Sequence, residues 1–249
     1  MTQANGQAKV ALITGGGTGI GRAVSLSLAA QSVNVAVNYS RSEKEAAATV
    51  KEIENLGAAG FAVKANVADD TEVRVMIQDV IRHFGRIDYL VNCAGTTVYV
   101  ALDDLDGLKP EYWDQIMDVN VKGLFSVCRA AAPHLKQTRG SIVNITSVSG
   151  ITGIGSSIAY AASKAAAISV TKSLARVLAP EVRVNSVAPG IVMTRWVDGR
   201  EDHVKKLGEH TPLGRCCDAG DVAAVVVPLL VSALMMTGQT VVVDGGAFM

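Results

Sequence analysis

The sequence predicts a doubly wound α/β fold, in which helices cover both faces of a parallel sheet. Short runs rich in β-branched residues recur along the chain, and helix-length segments separate them. No linker, low-complexity tract or internal repeat interrupts this alternation. Near-continuous apolar strands are typical of a parallel sheet buried on both faces. We predict seven strands, at residues 9–14, 34–39, 61–67, 87–92, 141–146, 182–187 and 240–245.

The length and composition favour one domain. The chain has 249 residues, of which 49% are apolar, so it can bury a full core without being split in two. We therefore expect a single domain over residues 1–249. The 23 basic and 23 acidic residues give a formal net charge of zero, which argues against a nucleic-acid or anionic-membrane partner.

Three features predict a soluble cytoplasmic protein. The first ten residues, MTQANGQAKV, lack the basic start and apolar core of a signal peptide. The most apolar segment, 222–236, is shorter than the roughly 20 residues of a membrane span and contains Pro228, so a packed helix is predicted. Free thiols are expected rather than a metal or redox site, because the cysteines show no CxxC spacing. The cysteines are Cys93, Cys128, Cys216 and Cys217.

Two helix boundaries can be predicted from capping patterns. Pro110 is typical of the first turn of a helix, and this helix should run toward Pro133. Asp218 is predicted to cap the helix that starts near Asp221. In such open sheets, ligands bind beyond the carboxyl ends of the strands, so the functional residues are expected there.

The first strand leads directly into a glycine-rich turn, TGGGTGIG, followed by a predicted helix. The spacing is GxxxGxG through Gly15, Gly19 and Gly21, since Ile20 stands where the third glycine of GxGxxG would be. Glycines let the backbone approach a pyrophosphate, and the helix N-terminus offers unpaired N–H groups. We predict a dinucleotide site that includes Gly15, Gly17, Thr18, Gly19 and Ile20.

The end of the second strand, NYSR, predicts the type of dinucleotide. Asn38, Tyr39 and Ser40 carry no negative charge that would favour the 2′-hydroxyl of NAD. Arg41 can pair with a 2′-phosphate, so NADP(H) is predicted over NAD(H). The alternative is that Arg41 is an ordinary exposed residue at a helix start, and Glu43 nearby weakens the prediction.

Several further motifs occur in a fixed order along the chain. They are NCAG at 92–95, Asn120 in DVNVKG, Ser147 in NITS, AYAASK at 159–164, VAPG at 187–190 and the ending TGQTVVVDGG. Together with the glycine turn, they resemble the short-chain dehydrogenase/reductase family over essentially the whole chain. The resemblance implies a single Rossmann-type domain, three layers deep, with seven parallel strands, which agrees with the strand count above.

The resemblance implies a catalytic tetrad. Tyr160 would be the acid/base, Ser147 the substrate-orienting hydroxyl, and Asn120 the holder of a proton-relay water. Lys164 would bind the nicotinamide ribose and lower the tyrosine pKa. Tyr160 and Lys164 are four residues apart, so they lie on one helix face. A free tyrosine keeps its proton to about pH 10, and a nearby ammonium should draw that pKa down.

The resemblance also extends the cofactor site. The implied positions are Asn66, Val67, Asn92, Ala94, Gly95, Pro189, Gly190, Ile191 and Thr194, together with Tyr160 and Lys164. Many relatives have an aspartate where this chain has Asn66, and Asn66 is expected to accept a hydrogen bond from the adenine amino group. Cys93, at the second position of the NNAG-type motif, is expected to be a small apolar substitution in the core.

Substrate choice should lie with two loops, 148–158 and about 191–215. Their apolar residues suggest a pocket wall, although packing within the loops would explain them equally well. These residues are Ile151, Ile154, Met193 and Trp196. The overall pattern most resembles bacterial 3-oxoacyl carrier-protein reductases, which implies reduction of a ketone to a secondary alcohol.

Three questions stay open from the sequence. Arg129 and Lys172 would form a docking surface for an acidic carrier protein, or they are ordinary surface charges. The substrate would otherwise be a secondary alcohol, a sugar or a small ketone, or the protein would bind NADP without turnover as a sensor or scaffold. Broad apolar arcs on the helix from Glu111 to Leu135, and on the helix around Tyr160, suggest packing between subunits, although packing within one chain would also explain them. The family resemblance implies a homotetramer.

Overall fold

The computed structural model describes residues 8–199 and 201–248 and contains a seven-stranded sheet with the strand order β3-β2-β1-β4-β5-β6-β7. Every neighbouring pair of strands is parallel. The predicted fold is therefore confirmed. The strands are β1 Val10–Thr14, β2 Asn34–Tyr39, β3 Gly60–Lys64, β4 Tyr89–Asn92, β5 Ser141–Ile145, β6 Arg183–Pro189 and β7 Thr240–Val243.

Helices cover both faces of the sheet. In the described part of the chain they are α1 Gly19–Ala29, α2 Glu43–Asn55, α3 Asp70–Phe84, α4 Pro110–Met117, α5 Leu124–Thr138, α6 Ser149–Thr152, α7 Ile158–Leu178, α8 Glu201–Glu209 and α9 Ala219–Val231. Alternate residues of β1 belong to two separate cores: Leu12 packs with α3, α5 and α7, and Ile13 packs with α1, α2 and α9. Side chains on a strand alternate between its faces, so both layers are anchored to the same strand.

The helix that begins at Pro110 differs from the prediction. Pro110 is its first residue, as expected, but α4 passes into a π-helical segment, Asp118–Gly123, before α5 begins. Pro133 does not end the helix, because it lies inside α5, which continues to Thr138. A π-helical segment within a helix is rare and often marks a functional position. Here it carries Asn120.

The other capping prediction is confirmed with a shifted start. Asp218 caps α9 by accepting a hydrogen bond from the Asp221 backbone N–H at 2.9 Å, and Asp221 accepts from the Asp218 backbone N–H at 2.8 Å. The helix itself starts at Ala219. This reciprocal pairing satisfies two backbone donors that the helix cannot pair internally.

The prediction that the chain has no signal peptide rests partly on residues 1–7, which lie outside the described residues. No helix in the described ranges is long and apolar enough to cross a bilayer. Within the same ranges, His, Cys, Asp and Glu side chains form no group of three that could hold a metal ion.

Candidate active site

The glycine turn between β1 and α1 leaves room for a ligand close to its backbone. Gly15 and Gly19 have φ values of +63° and +49°, which side-chain-bearing residues rarely adopt. A Cβ at Gly17 would lie 2.8 Å from the backbone of Ala46 in α2, closer than real atoms approach. The turn therefore needs its glycines, and the N-terminus of α1 behind it can face a pyrophosphate. Thr18 is the N-cap of α1, and Ile20 lies in its first turn.

The exits of β1 and β4 meet at the point where the strand order reverses, which is the usual ligand site of such a sheet. The Thr14 hydroxyl oxygen accepts hydrogen bonds from the backbone N–H groups of Cys93 and Ala94, at 3.0 and 3.1 Å. A Cβ at Gly15 would lie 3.3 Å from the Ala94 backbone. No motif in the sequence indicated this role. Thr14 fixes the NCAG segment against the glycine turn.

Asn92 lies below this site rather than in its wall. Its side chain is buried, and its amide nitrogen donates to Asn144 Oδ1 at 2.9 Å and to Cys128 Sγ at 3.1 Å. The side chain therefore ties β4 to β5 and to α5. This differs from the expectation that Asn92 lines the cofactor cleft. The cleft wall is formed instead by the following residues, Ala94 and Gly95, which are partly exposed.

Three members of the expected tetrad converge beyond the end of β5. Ser157 caps α7 by accepting from the Tyr160 backbone N–H at 3.2 Å, which places Tyr160 in the first turn. The Tyr160 hydroxyl is hydrogen-bonded to Ser147. Lys164 Nζ lies 5.6 Å from the centroid of the Tyr160 ring and donates to the Ile145 carbonyl at 2.9 Å. The predicted clustering of hydroxyl, phenol and amine at one strand exit is present.

The expected lowering of the Tyr160 pKa is not present in this structure. Burial raises the pKa of Tyr160 to about 12, although its hydrogen bond with Ser147 opposes the rise. Burial also lowers the pKa of Lys164 to about 8, because a charged amine loses its hydration there. Desolvation by burial is the largest cause of both shifts.

Asn120 joins the tetrad through the protein backbone. Its Oδ1 accepts from the Thr96 N–H at 2.9 Å, and its amide nitrogen donates to the Thr96 carbonyl and to Ser163 Oγ, each at 3.0 Å. Ser163 Oγ in turn donates to the Tyr160 carbonyl at 2.7 Å. A Cβ at Gly95 would lie 3.5 Å from Asn120 Oδ1 and 3.7 Å from Lys164 Nζ. The π-helical segment therefore fixes the loop after β4 over the tetrad.

The expected adenosine end is built by β2 and β3. The Asn38 side chain is buried and donates to the carbonyls of Val63 and Ala65, at 3.3 and 3.1 Å, so it joins these strands. Tyr39 is hydrogen-bonded to Glu43, and its pKa is raised by burial and by that carboxylate. Ser40 and Arg41 follow with exposed side chains. Arg41 is exposed, whereas Asn38 is buried and joins the two strands.

Asn66, the predicted adenine contact, also makes hydrogen bonds within the protein. Asn66 Oδ1 accepts from the Ala68 backbone N–H at 3.1 Å, and the Asn66 N–H donates to Glu72 at 2.7 Å. Asn66 thus shapes the turn between β3 and α3. Val67 is buried and packs against Gly123 of the π-helical segment.

The segment after β6 reaches back over the glycine turn. The Pro189 carbonyl accepts from the Val148 N–H at 3.0 Å, and Gly190 packs against Asp244. Ile191 is exposed. A Cβ at Gly19 would lie 3.4 Å from the Thr194 methyl group, so this segment and the turn face each other across a narrow groove.

An aromatic wall stands beside Tyr160. The Trp196 ring lies 6.2 Å from the Tyr160 ring, and the Tyr99 hydroxyl donates to the Trp196 carbonyl at 3.0 Å. Trp196 therefore lies beside Tyr160, whereas Ile151 and Ile154 are more than half exposed. Tyr99 was not predicted, although its place shortly after the β4 exit was a usable signal. Met193, also partly exposed, donates its backbone N–H to the Cys217 carbonyl at 2.9 Å.

Comparison with known proteins agrees with this geometry. Residues 15–247 match a family profile described as enoyl-(acyl carrier protein) reductase. The chain is 42% identical over 246 residues to 3-oxoacyl-(acyl-carrier-protein) reductase FabG of Staphylococcus aureus strain Mu50, covering 97% of this chain and 98% of that protein.

Two solved structures are similar over nearly the whole chain. A short chain dehydrogenase from Burkholderia cenocepacia J2315, in complex with NADP, is 37% identical with a TM-score of 0.88, covering 97% of this chain and 98% of that one. Levodione reductase is 28% identical with a TM-score of 0.89, covering 96% and 97% respectively.

Proposed function

The chain belongs to the short-chain dehydrogenase/reductase family of oxidoreductases, and from that premise we propose that it reduces a ketone to a secondary alcohol with NADPH. The observation that carries the proposal is the buried Lys164 beside a Tyr160 that is hydrogen-bonded to Ser147. Burying an amine costs stability, so the presence of Lys164 beside this phenol is best explained by chemistry.

The proposed mechanism assigns each side chain one task. When bound, NADPH supplies a hydride to the carbonyl carbon. The high pKa of Tyr160, about 12, keeps its proton in place until the carbonyl oxygen gains negative charge, and Tyr160 then donates that proton to the oxygen. Ser147, hydrogen-bonded to the same phenol, orients the carbonyl. The products are the secondary alcohol and NADP⁺.

Other residues of this chain would hold the cofactor. The glycine turn and the N-terminus of α1 would receive the pyrophosphate, with Gly15, Gly17 and Gly19 allowing close approach. Lys164 would bind the nicotinamide ribose. Asn120 would act as a positioning residue, because its side-chain amide holds Thr96 and Ser163 rather than facing the reacting atoms.

The proposed preference for NADP(H) over NAD(H) rests on the end of β2. Arg41 is exposed there, and the two residues before it, Tyr39 and Ser40, are uncharged in their ordinary states. Glu43 is hydrogen-bonded to Tyr39, which directs that carboxylate toward the phenol. An arginine without a competing acidic residue at the strand end favours a 2′-phosphate.

We propose a 3-oxoacyl thioester as the substrate, attached to a carrier protein. The similarity to the Staphylococcus aureus reductase supports this class. Lys172 is exposed and can meet an acidic partner, whereas Arg129 pairs with Asp70 and lies over the Phe125 ring, 5.7 Å from its centroid. Part of the Arg129 charge is therefore neutralised within the chain, which makes Lys172 the stronger candidate contact.

A free cyclic ketone is a second candidate substrate. The aromatic wall of Tyr99 and Trp196 beside Tyr160 suits a compact ring. Flat apolar rings pack well against aromatic side chains.

We also propose one domain and a homotetramer. The strand β7 is at the sheet edge, and Val242 on it is 43% exposed, unlike the buried inner strands. Leu234 and Met235 before it are 70% and 98% exposed, and Phe248 after it is 44% exposed. Such a run of exposed apolar side chains at a parallel-sheet edge fits coverage by a second copy of the chain.

Initial rates with NADPH, and in parallel with NADH, test the function. The panel contains an acetoacetyl thioester, a cyclic diketone, aryl ketones and an aldose. A marked preference for the thioester supports the first substrate, and a preference for the cyclic diketone supports the second. Binding of NADPH without oxidation across the panel would overturn the enzyme assignment in favour of a sensor or scaffold.

A further inference from the structure

The short turn after Thr194 contains an arginine whose side chain reaches across the groove to α2. Arg195 opens the 3₁₀ turn Arg195–Val197, and its guanidinium donates to Ser42 Oγ at 3.1 Å. The same guanidinium lies 3.8 Å from Glu45 Oε1, and both side chains are about half exposed, at 53% and 51%. A single exposed contact at this distance is weak, so the guanidinium can exchange its partner at little cost.

This guanidinium lies where the adenosine end of the cofactor is expected. Ser42 directly follows Arg41 and is the N-cap of α2, although its side chain makes no capping hydrogen bond. Thr194 faces Gly19 on the pyrophosphate side of the groove. The Arg195 side chain extends away from that turn and toward the first turn of α2. Its position therefore matches a 2′-phosphate better than a pyrophosphate.

We propose that Arg195 is a second arginine of the 2′-phosphate site. It would bind the phosphate of NADP(H) from the turn after Thr194, while Arg41 binds it from the end of β2. This inference rests on the proposed preference for NADP(H). On binding, the guanidinium exchanges Glu45 for phosphate oxygens, which accept two parallel hydrogen bonds from the planar fork. The Ser42 hydroxyl, already within 3.1 Å of the guanidinium, is placed to contact the same phosphate.

The arrangement links the adenosine end to the reacting end of the cleft. Trp196 follows Arg195 in the same turn, and its ring lies 6.2 Å from that of Tyr160. A phosphate that holds Arg195 therefore also fixes the position of Trp196. NADH lacks that phosphate, so it gives the turn no such anchor.

Binding measurements without turnover test the proposal. Calorimetry would give Kd values for NADPH, NADH, 2′,5′-ADP and 5′-AMP with the wild type and with Arg195→Met, Arg195→Lys and Arg82→Met. We expect Arg195→Met to weaken NADPH and 2′,5′-ADP about tenfold and the other two ligands less than about twofold, since a charged hydrogen-bonded pair is lost only with the phosphate. Arg195→Lys should retain part of the affinity. Arg82 forms an exposed ion pair with Asp79, so Arg82→Met controls for the loss of a surface arginine.

A variant of the competing carboxylate sharpens the result. Glu45→Gln alone should strengthen NADPH binding. Adding Glu45→Gln to Arg195→Met should not strengthen it. Equal weakening of NADPH and NADH by Arg195→Met would overturn the proposal, because Arg195 would then contact the pyrophosphate or merely shape the groove. Unchanged binding of both would overturn it as well. If the wild type binds NADPH and NADH equally, the NADP(H) assignment itself fails, whereas a wild-type preference that survives in Arg195→Met removes only this inference.

Discussion

The amine of Lys164 lies 5.6 Å from the centre of the Tyr160 ring, one helical turn away on α7, and both side chains face the same cleft. Burial moves their pKa values in opposite directions, to about 8 for the lysine and to about 12 for the tyrosine. Both shifts favour the neutral form, because each charged form would lose hydration. The pair is therefore held in a state from which the phenol can donate a proton.

The lowered Lys164 pKa predicts a pH-dependent stability. Between pH 8 and the ordinary lysine value of 10.5, the unfolded chain binds more protons than the folded one, so the free energy of unfolding rises with pH. From about pH 7 to about pH 9.5, the wild type should gain about 2 kcal/mol relative to Lys164→Met. Urea unfolding at both pH values measures this difference. Lys172→Met, an exposed lysine on the same helix, should show none, and an equal pH dependence in Lys164→Met and the wild type would contradict the prediction.

Tyr160→Phe should reduce turnover by about 10² to 10⁴, the usual contribution of a positioned proton donor. Its Kd for NADPH should stay within about twofold, because the ring remains and only the hydroxyl is lost. Single-turnover NADPH oxidation and calorimetric binding separate these effects. Tyr112→Phe on α4 is the matched control. Turnover retained in Tyr160→Phe would mean that the proton comes from another group.

Asn120→Ala should lower both stability and turnover. The substitution leaves the partly buried N–H and carbonyl of Thr96 without the amide that pairs with them, at a cost of about 1–3 kcal/mol. Chemical unfolding measures that loss. Because the Asn120 side chain positions the loop rather than touching substrate, kcat should fall without a new pH dependence. An altered pH profile with unchanged stability would instead assign Asn120 to proton transfer.

Reversal of charge at Arg129 and Lys172 tests carrier-protein docking. The double variant Arg129→Glu with Lys172→Glu should raise KM for a carrier-linked thioester at least about fivefold and leave KM for the free thioester unchanged. Lys172→Glu alone should give most of the effect, because Arg129 is already paired with Asp70. If the double variant leaves KM for the carrier-linked substrate unchanged, both residues are ordinary surface charges.

The apolar edge around β7 predicts assembly in solution. Light scattering at micromolar concentration should give a tetramer, and Leu234→Glu with Met235→Glu should shift it to smaller species because two exposed apolar side chains become charged. Leu105→Glu is a control, since Leu105 is similarly exposed, at 69%, but lies between β4 and α4. A wild-type monomer would overturn the proposed tetramer.

The sequence by itself determined the fold and identified the side chains of the proposed active site. The alternation of apolar runs with helix-length segments predicted seven parallel strands, and each observed strand lies at the predicted place to within a few residues. The glycine spacing and the four-residue spacing of Tyr160 and Lys164 are local features. Local backbone requirements and side-chain periodicity depend on neighbours along the chain, so they can be read without a structure.

The tertiary structure decided how these side chains behave. The Tyr160 pKa rises rather than falls, because burial depends on everything packed around the cleft. The Asn38 and Asn92 side chains turn into the sheet and bind partners that are distant in sequence, at β3 and on β5. Arg195 meets Ser42 across 153 residues of chain. Desolvation and long-range contacts exist only in three dimensions, and no local pattern in the sequence specifies them.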